Sequence, residues 1–292
     1  MDATASKINV HFNQYRMTLN CKGKLIHLTS PKVMGILNIT PDSFYDGGRH
    51  KNPDGILKHT EKMLNEGATF IDIGAYSSRP GADNIDEDEE LHRILPIVNL
   101  VLKEFPGTII SIDTFRHRVA KKCLEVGAAM INDISGGHLD PKMLKTVADF
   151  QIPYIAMHMR GTPQNMKDRT EYDDLLKDIL FYFSQIVEES RSNKINDLII
   201  DPGFGFAKTI DQNFKLLHHL NLFKNLKRPI LVGVSRKSMI YRTLGSDATK
   251  ALNGTTALNM TALSKGAHIL RVHDVKEAIE CVQLHKALEK NG

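Results

Sequence analysis

The sequence predicts an α/β protein folded as a single (β/α)8 barrel with an N-terminal β-hairpin. Three observations lead there. Short apolar runs of β type recur along the chain, stretches of helical period fill the intervals, and the runs end in polar residues. Runs that are apolar without strict alternation suit parallel strands covered on both faces.

The first element, MTLNCKGKLIHLTS (17–30), reads as a hairpin turning at Lys22-Gly23 and placed as a cap on the barrel floor. Eight runs follow. They are VMGILN (33–38), FIDIGA (70–75), TIISIDT (108–114) and MINDIS (130–135), then YIAMHM (154–159), LIIDPG (198–203), ILVGVS (230–235) and HILRVH (268–273). Helical patterns lie between them, among them DGILKHTEKMLNEG (54–67), EELHRILPIVNLVLKEF (89–105) and YDDLLKDILFYFSQIVEESR (172–191). Gly67, Gly127 and Gly266 stand where a helix stops and a strand starts, the usual place for a residue of positive φ. Eight βα units point to a closed barrel, with a doubly wound open sheet as the alternative. No repeat or linker divides the 292 residues, so one domain over 1–292 is expected, with 1–32 as its hairpin extension.

Composition narrows the function. Apolar residues make up 41% and charged residues 25%, the ordinary globular balance. The net charge of +4 comes without a block of Lys or Arg, which argues against nucleic acid and allows a local site for a small anion. Cys21, Cys123 and Cys281 are widely spaced and form no CxxC pair, so neither a disulfide framework nor a zinc site is expected. The first residues lack a signal-type apolar segment, and no run of 18 apolar residues occurs, so a cytoplasmic protein without membrane association is expected.

In a βα barrel the C-terminal strand ends converge on one mouth, where active sites form. Here the runs end at, or are followed by, Asn38, Ser78-Arg79, Asp113, Asn132-Asp133, His158, Asp201, Arg236-Lys237, and Arg271 with His273. One polar strand end is ordinarily a helix cap or loop anchor. Eight together describe a polar pocket. Arg79, Lys237, Arg271 and His273 suit a ligand of several negative charges such as a diphosphate, whereas Arg236 reads better as a salt-bridge partner. Asp113, Asn132 and Asp201 suit a flat heterocycle rich in N–H and amino groups; a self-satisfied internal network is the alternative. Met157 and Met159 flank His158 and could wall a ring. GFGFAKT (203–209) is not a Walker A loop, because Ala207 precedes the lysine and Pro202 replaces the first glycine. Ser235 lacks a nucleophile context. His218-His219 and the acidic run DEDEE (86–90) read as solvated surfaces.

With these residues assembled, the chain resembles dihydropteroate synthase from about Val33 to its end. The most specific blocks are GILNITPDSFYDGG (35–48) and DIGAYSSRPGA (72–82). SIDTFRHRVA (111–120), INDISGG (131–137), MHMRGTP (157–163), DPGFGFAKT (201–209), GVSRKS (233–238) and RVHDV (271–275) follow in the family's order. The resemblance implies a transferase of folate synthesis that joins 6-hydroxymethyl-7,8-dihydropterin diphosphate to 4-aminobenzoate. It implies Asp113, Asn132, Met157, Asp201, Phe206 and Lys237 around the pterin. It implies Asn38, Ser78, Arg79, Arg271 and His273 on the diphosphate, with Mg2+ at Asn38. Phe44, Pro80, Lys237 and Ser238 belong by the same resemblance to the 4-aminobenzoate pocket. Asp113, Asn38, Arg271 and His273 are the implied catalytic set.

The loop with Pro41, Asp42, Phe44 and Asp46 resembles the family's mobile loop, with Gly47 and Gly48 allowing its movement. A homodimer formed through the late helices and inhibition by sulfonamides are also implied. Two positions depart from the family pattern. Ser78 replaces a frequent threonine and keeps its hydroxyl, and Ala207 replaces a frequent glycine with little functional effect expected. The rival enzyme class is a pterin-binding methyltransferase domain, which has no use for the diphosphate cations. A pterin-diphosphate-binding paralogue without activity is the non-enzymatic rival.

Overall fold

A computed structural model describes residues 17–39, 45–46, 50–51, 53–76 and 85–291, with side chains described from 17–39, 53–76 and 85–291. The described residues open with an antiparallel hairpin of β1 (Thr18–Cys21) and β2 (Lys24–His27). Its turn falls at Lys22 and Gly23, with φ of 51° and 84°. Two successive positive φ angles are those of the tight turn whose twist matches a hairpin. The barrel begins with β3 (Lys32–Asn38), and a short pair, β4 (Tyr45–Asp46) and β5 (His50–Lys51), follows. Then come α1 (Pro53–Asn65), β6 (Phe70–Gly74), α2 (Glu87–Glu104), β7 (Ile109–Asp113), α3 (His117–Val126) and β8 (Met130–Asp133). They are followed by α4 (Met143–Phe150), β9 (Tyr154–Met157), α5 (Leu175–Ser192), β10 (Leu198–Asp201) and α6 (Ile210–His218). The last elements are β11 (Leu231–Val232), α7 (Ser238–Thr243), α8 (Leu252–Ser264), β12 (Ile269–Val272) and α9 (Val275–Asn291).

Each barrel strand lies parallel beside the next in sequence, from β3 through β6, β7, β8 and β9 to β10, and β11 pairs with β12, which returns to β3. The circle closes where Ile200 in β10 bridges Ile230 just before β11, with Ile200 N–H donating to the Pro229 carbonyl at 2.9 Å. A sheet closed in sequence order is a (β/α)8 barrel. It has no reversal of strand order, so the doubly wound alternative is excluded. Gly67, Gly127 and Gly266 all have positive φ, as expected of helix-terminating residues.

Strand parity sorts the side chains. Ile71 and Ile73 of β6, Ile110 and Ile112 of β7, and Leu198 and Ile200 of β10 turn outward and pack with the helices in one large buried cluster. The opposite parity turns inward. Met34, Phe70, Ile109, Met130, Ile155, Ile199, Leu231 and Ile269, one from each barrel strand, make an apolar floor. Leu19, Cys21, Ile26 and Leu28 of the hairpin region belong to the same cluster, so the hairpin plugs the N-terminal end, as expected. Cys21, Cys123 and Cys281 are free and buried. Among the described residues no helix is long and apolar enough to cross a membrane.

Candidate active site

Above the apolar floor the inward parity changes character. The next layer holds Asp72, Ser111, Asn132, Met157, Asp201 and Arg271, and Asn38, Asp113 and His273 lie higher, at or just past their strand ends. Alternation along the strands builds this stack, and the closed barrel brings it to one axis.

Arg271 is the hub. Its Nε donates to Asp72 Oδ2 at 2.6 Å and its Nη2 to Asp113 Oδ2 at 2.7 Å. Asn132 Nδ2 donates to the same Asp72 oxygen at 2.9 Å. Burial pushes the Asp113 carboxyl up to about 7; Arg271 opposes that shift and the neighbouring Asp72 adds to it. Burial works against the charge of Arg271, but Asp72 and Asp113 more than offset it and hold its pKa above the usual value. Asp201 is also raised by burial, opposed by Lys237. Its Oδ1 accepts from Gly203 N–H at 2.8 Å. Gly203 has φ of 72°, and a Cβ there would lie 2.0 Å from the His158 carbonyl oxygen, so only glycine fits this turn.

The DPGFGFAK loop then brings a cation and a ring together. Lys237, preceding α7, donates through Nζ to the Phe204 carbonyl and lies 4.8 Å from the centre of the half-buried Phe206 ring. Burial lowers its pKa to about 8, opposed by Asp201. Ser238 is the first residue of α7. His273 faces Ser235, whose Oγ lies 3.1 Å from His273 Nδ1 and accepts the His273 backbone N–H at 3.1 Å.

The structure therefore gathers Asn38, Asp113, Asn132, Met157, Asp201, Phe206, Lys237, Arg271 and His273 at the C-terminal end of the barrel. Ser78, Arg79, Pro80 and Phe44, with the loop residues Pro41, Asp42, Gly47 and Gly48, lie outside the described residues. Asp46 is described by its backbone in β4.

Three expectations are corrected. His158 follows β9 with the parity opposite to Met157; it is buried among Tyr172, Tyr182 and Phe183 on the helix side, beside Lys208. Asp133 likewise turns away from Asn132 and anchors the following turn through Ser135, Gly137 and the Tyr154 hydroxyl. Within the acidic run, Glu90 is fully buried on α2, where it accepts from Thr114 Oγ1 at 2.7 Å and pairs with Arg116. Arg236 is the salt-bridge residue expected, holding Asp274 through two bonds of 2.8 Å.

Two residues of the site escaped the sequence reading. Asp72 lies in mid-strand, and the reading followed strand ends. Its signal was parity, since it shares the inner face with Phe70 two residues below. Lys208 is buried under the loop, donating to the carbonyls of Gly203 at 2.9 Å and Phe206 at 3.0 Å, with His158 Nδ1 at 3.0 Å. Burial lowers its pKa to about 7. A lysine that folds back into its own loop leaves no periodic signal.

The arrangement offers carboxylate and amide groups low in the pocket, cations beside them, and apolar walls from Met157 and Phe206. It can hold a flat, amino-bearing ring beneath an anionic group.

Known proteins share this architecture. The family model described as pterin binding enzyme matches residues 34–273. Dihydropteroate synthase of Escherichia coli K12 is 41% identical over 273 residues, covering 93% of this chain and 96% of its own. A crystal structure of the Yersinia pestis dihydropteroate synthase with a sulfonamide drug complex superposes with a TM-score of 0.88 at 42% identity, covering 94% of this chain and all of the other. The Xanthomonas albilineans dihydropteroate synthase with 4-aminobenzoic acid gives a TM-score of 0.87 at 35% identity, covering 94% of this chain and 98% of the other. With a matching family model, high identity over nearly both full lengths and the same barrel, this chain belongs to the dihydropteroate synthase family of pterin binding enzymes.

Proposed function

We propose that the barrel mouth joins 6-hydroxymethyl-7,8-dihydropterin diphosphate to 4-aminobenzoate, releasing diphosphate and forming 7,8-dihydropteroate for folate synthesis. The observation that carries this reading is the Arg271 hub, where one cation touches the acidic floor of the pocket and still has N–H groups for an anion above it. Asp113, Asn132, Asp201 and Lys237 hold the pterin between Met157 and Phe206. Arg271, His273 and Asn38 hold the diphosphate, with Ser78 and Arg79 assigned to it by sequence. Ser238, with Lys237 beside it, receives the carboxylate of 4-aminobenzoate; Phe44 and Pro80 are assigned to that pocket by sequence.

The C–O bond to diphosphate breaks first, leaving positive charge on the exocyclic methylene and the ring. Ionised Asp113 stabilises that charge, Arg271 and His273 take the departing oxygens, and the arylamine nitrogen captures the methylene and loses a proton. No covalent enzyme intermediate forms.

Magnesium fits as a companion of the diphosphate. Among the described residues no group of three His, Cys, Asp or Glu side chains could cage a metal, whereas the Asn38 amide at the mouth offers a single oxygen. Such a site matches an ion that takes most of its ligands from phosphate and water. When bound there, the ion neutralises charge on the leaving diphosphate.

Sulfonamides, which mimic 4-aminobenzoate, inhibit the reaction competitively with it. An inhibition constant orders of magnitude above the 4-aminobenzoate KM would contradict this. The enzyme works in the cytoplasm as a homodimer, and the exposed Leu284 and Leu288 on α9 supply apolar surface for that contact. Light scattering checks the assembly, and a monomer at micromolar concentration would refute it.

The direct test of the function is diphosphate release from the pterin diphosphate with magnesium, with and without 4-aminobenzoate. Release that depends on 4-aminobenzoate and is lost in Arg271→Ala is expected. Wild-type protein that binds the pterin substrate and releases nothing would refute the reading.

A further inference from the structure

Asp72 is fully buried in mid-strand, between Ile71 and Ile73, which pack outward. Its Oδ2 accepts from Arg271 Nε at 2.6 Å and from Asn132 Nδ2 at 2.9 Å, which ties β12, β6 and β8 together across the barrel. Its Oδ1 has no hydrogen-bond partner among the described residues. A buried polar oxygen left in that state costs about 1–3 kcal/mol, more when charged. An apolar side chain would fill the position without that cost, so packing alone does not account for a carboxylate.

What the carboxylate does follows from the two donors it holds. An amide has one donor end and one acceptor end. With Nδ2 of Asn132 committed to Asp72, the amide turns its carbonyl oxygen to the other side, so Asn132 presents an acceptor to a ligand. For Arg271, bonds at Nε and Nη2 to two different carboxylates fix the plane of the guanidinium. We propose that Asp72 is the positioning residue for both halves of the substrate. It sets the amide orientation that makes Asn132 select ring N–H and amino donors, and it holds the Arg271 plane for the diphosphate. The inference rests on the reading of the site given above.

The test uses isothermal calorimetry with two probes, 6-hydroxymethylpterin and inorganic diphosphate with magnesium, on wild type and Asp72→Leu. Leucine is of similar size and carries no acceptor, so both donors that share Asp72 Oδ2 lose their partner. Both probes are therefore expected to weaken about tenfold or more. The loss for the pterin probe disappears in an Asn132→Ala background, and the loss for diphosphate disappears in an Arg271→Ala background. A merely structural role would not give that pattern. Undiminished binding in Asp72→Leu, or losses that persist in both backgrounds, would overturn the proposal. Wild type that binds neither probe would overturn the reading of the site and this inference with it. A measurement on wild type alone covers a variant that fails to fold. The Arg271 Nε–H, followed by nitrogen-15 NMR, is expected to exchange with solvent far more slowly than those of surface arginines, and equal rates would also overturn the proposal.

Discussion

Replacing Arg271 with methionine removes the cation from the centre of the pocket while keeping much of the side-chain length. Two bonds go, of 2.6 Å to Asp72 and 2.7 Å to Asp113, and both carboxylates stay in a buried layer. Breaking a buried ion pair by removing one partner costs about 3–5 kcal/mol, a large part of a typical total stability of about 5–15 kcal/mol. The cost should depend on pH. Asp113 is already raised to about 7 while Arg271 pulls it down, and without Arg271 it rises further. A raised carboxyl contributes stability that is present at low pH and lost as pH rises through its folded value. At pH 5.5 Asp113 is protonated in both folded proteins, so its share of the difference vanishes. At pH 8 it is mostly ionised in wild type and protonated to a greater extent in the variant, so the difference widens. Urea unfolding of wild type and Arg271→Met at the two pH values measures this. A loss below about 1 kcal/mol at pH 8, or one larger at pH 5.5 than at pH 8, would refute the reasoning.

Three further outcomes are expected. Asp113→Asn should flatten part of the fall in wild-type stability between about pH 4 and about pH 7, the window of its raised carboxyl; an unchanged slope in chemical denaturation would count against it. Ala207 has φ of 49°, a left-handed conformation costing an L-residue about 1–2 kcal/mol, against about 0.4–1 kcal/mol for the extra unfolded-state freedom of glycine. Ala207→Gly should therefore raise stability by about 0.5–1 kcal/mol, and a lower melting temperature would contradict that. Gly203→Ala drives a Cβ to within 2.0 Å of the His158 carbonyl; it should cost about 2–4 kcal/mol and weaken pterin binding through displaced Asp201, and wild-type values for both would argue against that turn.

Much of this site was legible because a βα barrel sends its strand ends to one mouth. Asn38, Asp113, Asn132, Asp201 and Arg271 were found by asking where apolar runs turn polar. Closure itself was not legible locally, since it needs the last strand, β12, to pair with the first, β3, with Ile269 opposite Lys32 from the other end of the barrel sequence. The same search went wrong wherever parity mattered. His158 and Asp133 follow inward residues directly, so they face the helices. Asp72 was passed over because it lies two residues before the end of its strand. Glu90 hid in an acidic run, because helical period buries one member and leaves its neighbours exposed or half-buried. Counting alternate residues down from each strand end would have recovered Asp72 and excluded His158. The fold-back of Lys208 onto the carbonyls of Gly203 and Phe206 needed three-dimensional structure.

The central claim is that this mouth turns a pterin diphosphate and an arylamine into one coupled product. Quantifying dihydropteroate and diphosphate together, in a single reaction of the wild-type enzyme with both substrates and magnesium, tests it most directly. One dihydropteroate formed for each diphosphate released is the expected result. Diphosphate released without dihydropteroate, or no release at all, would contradict it.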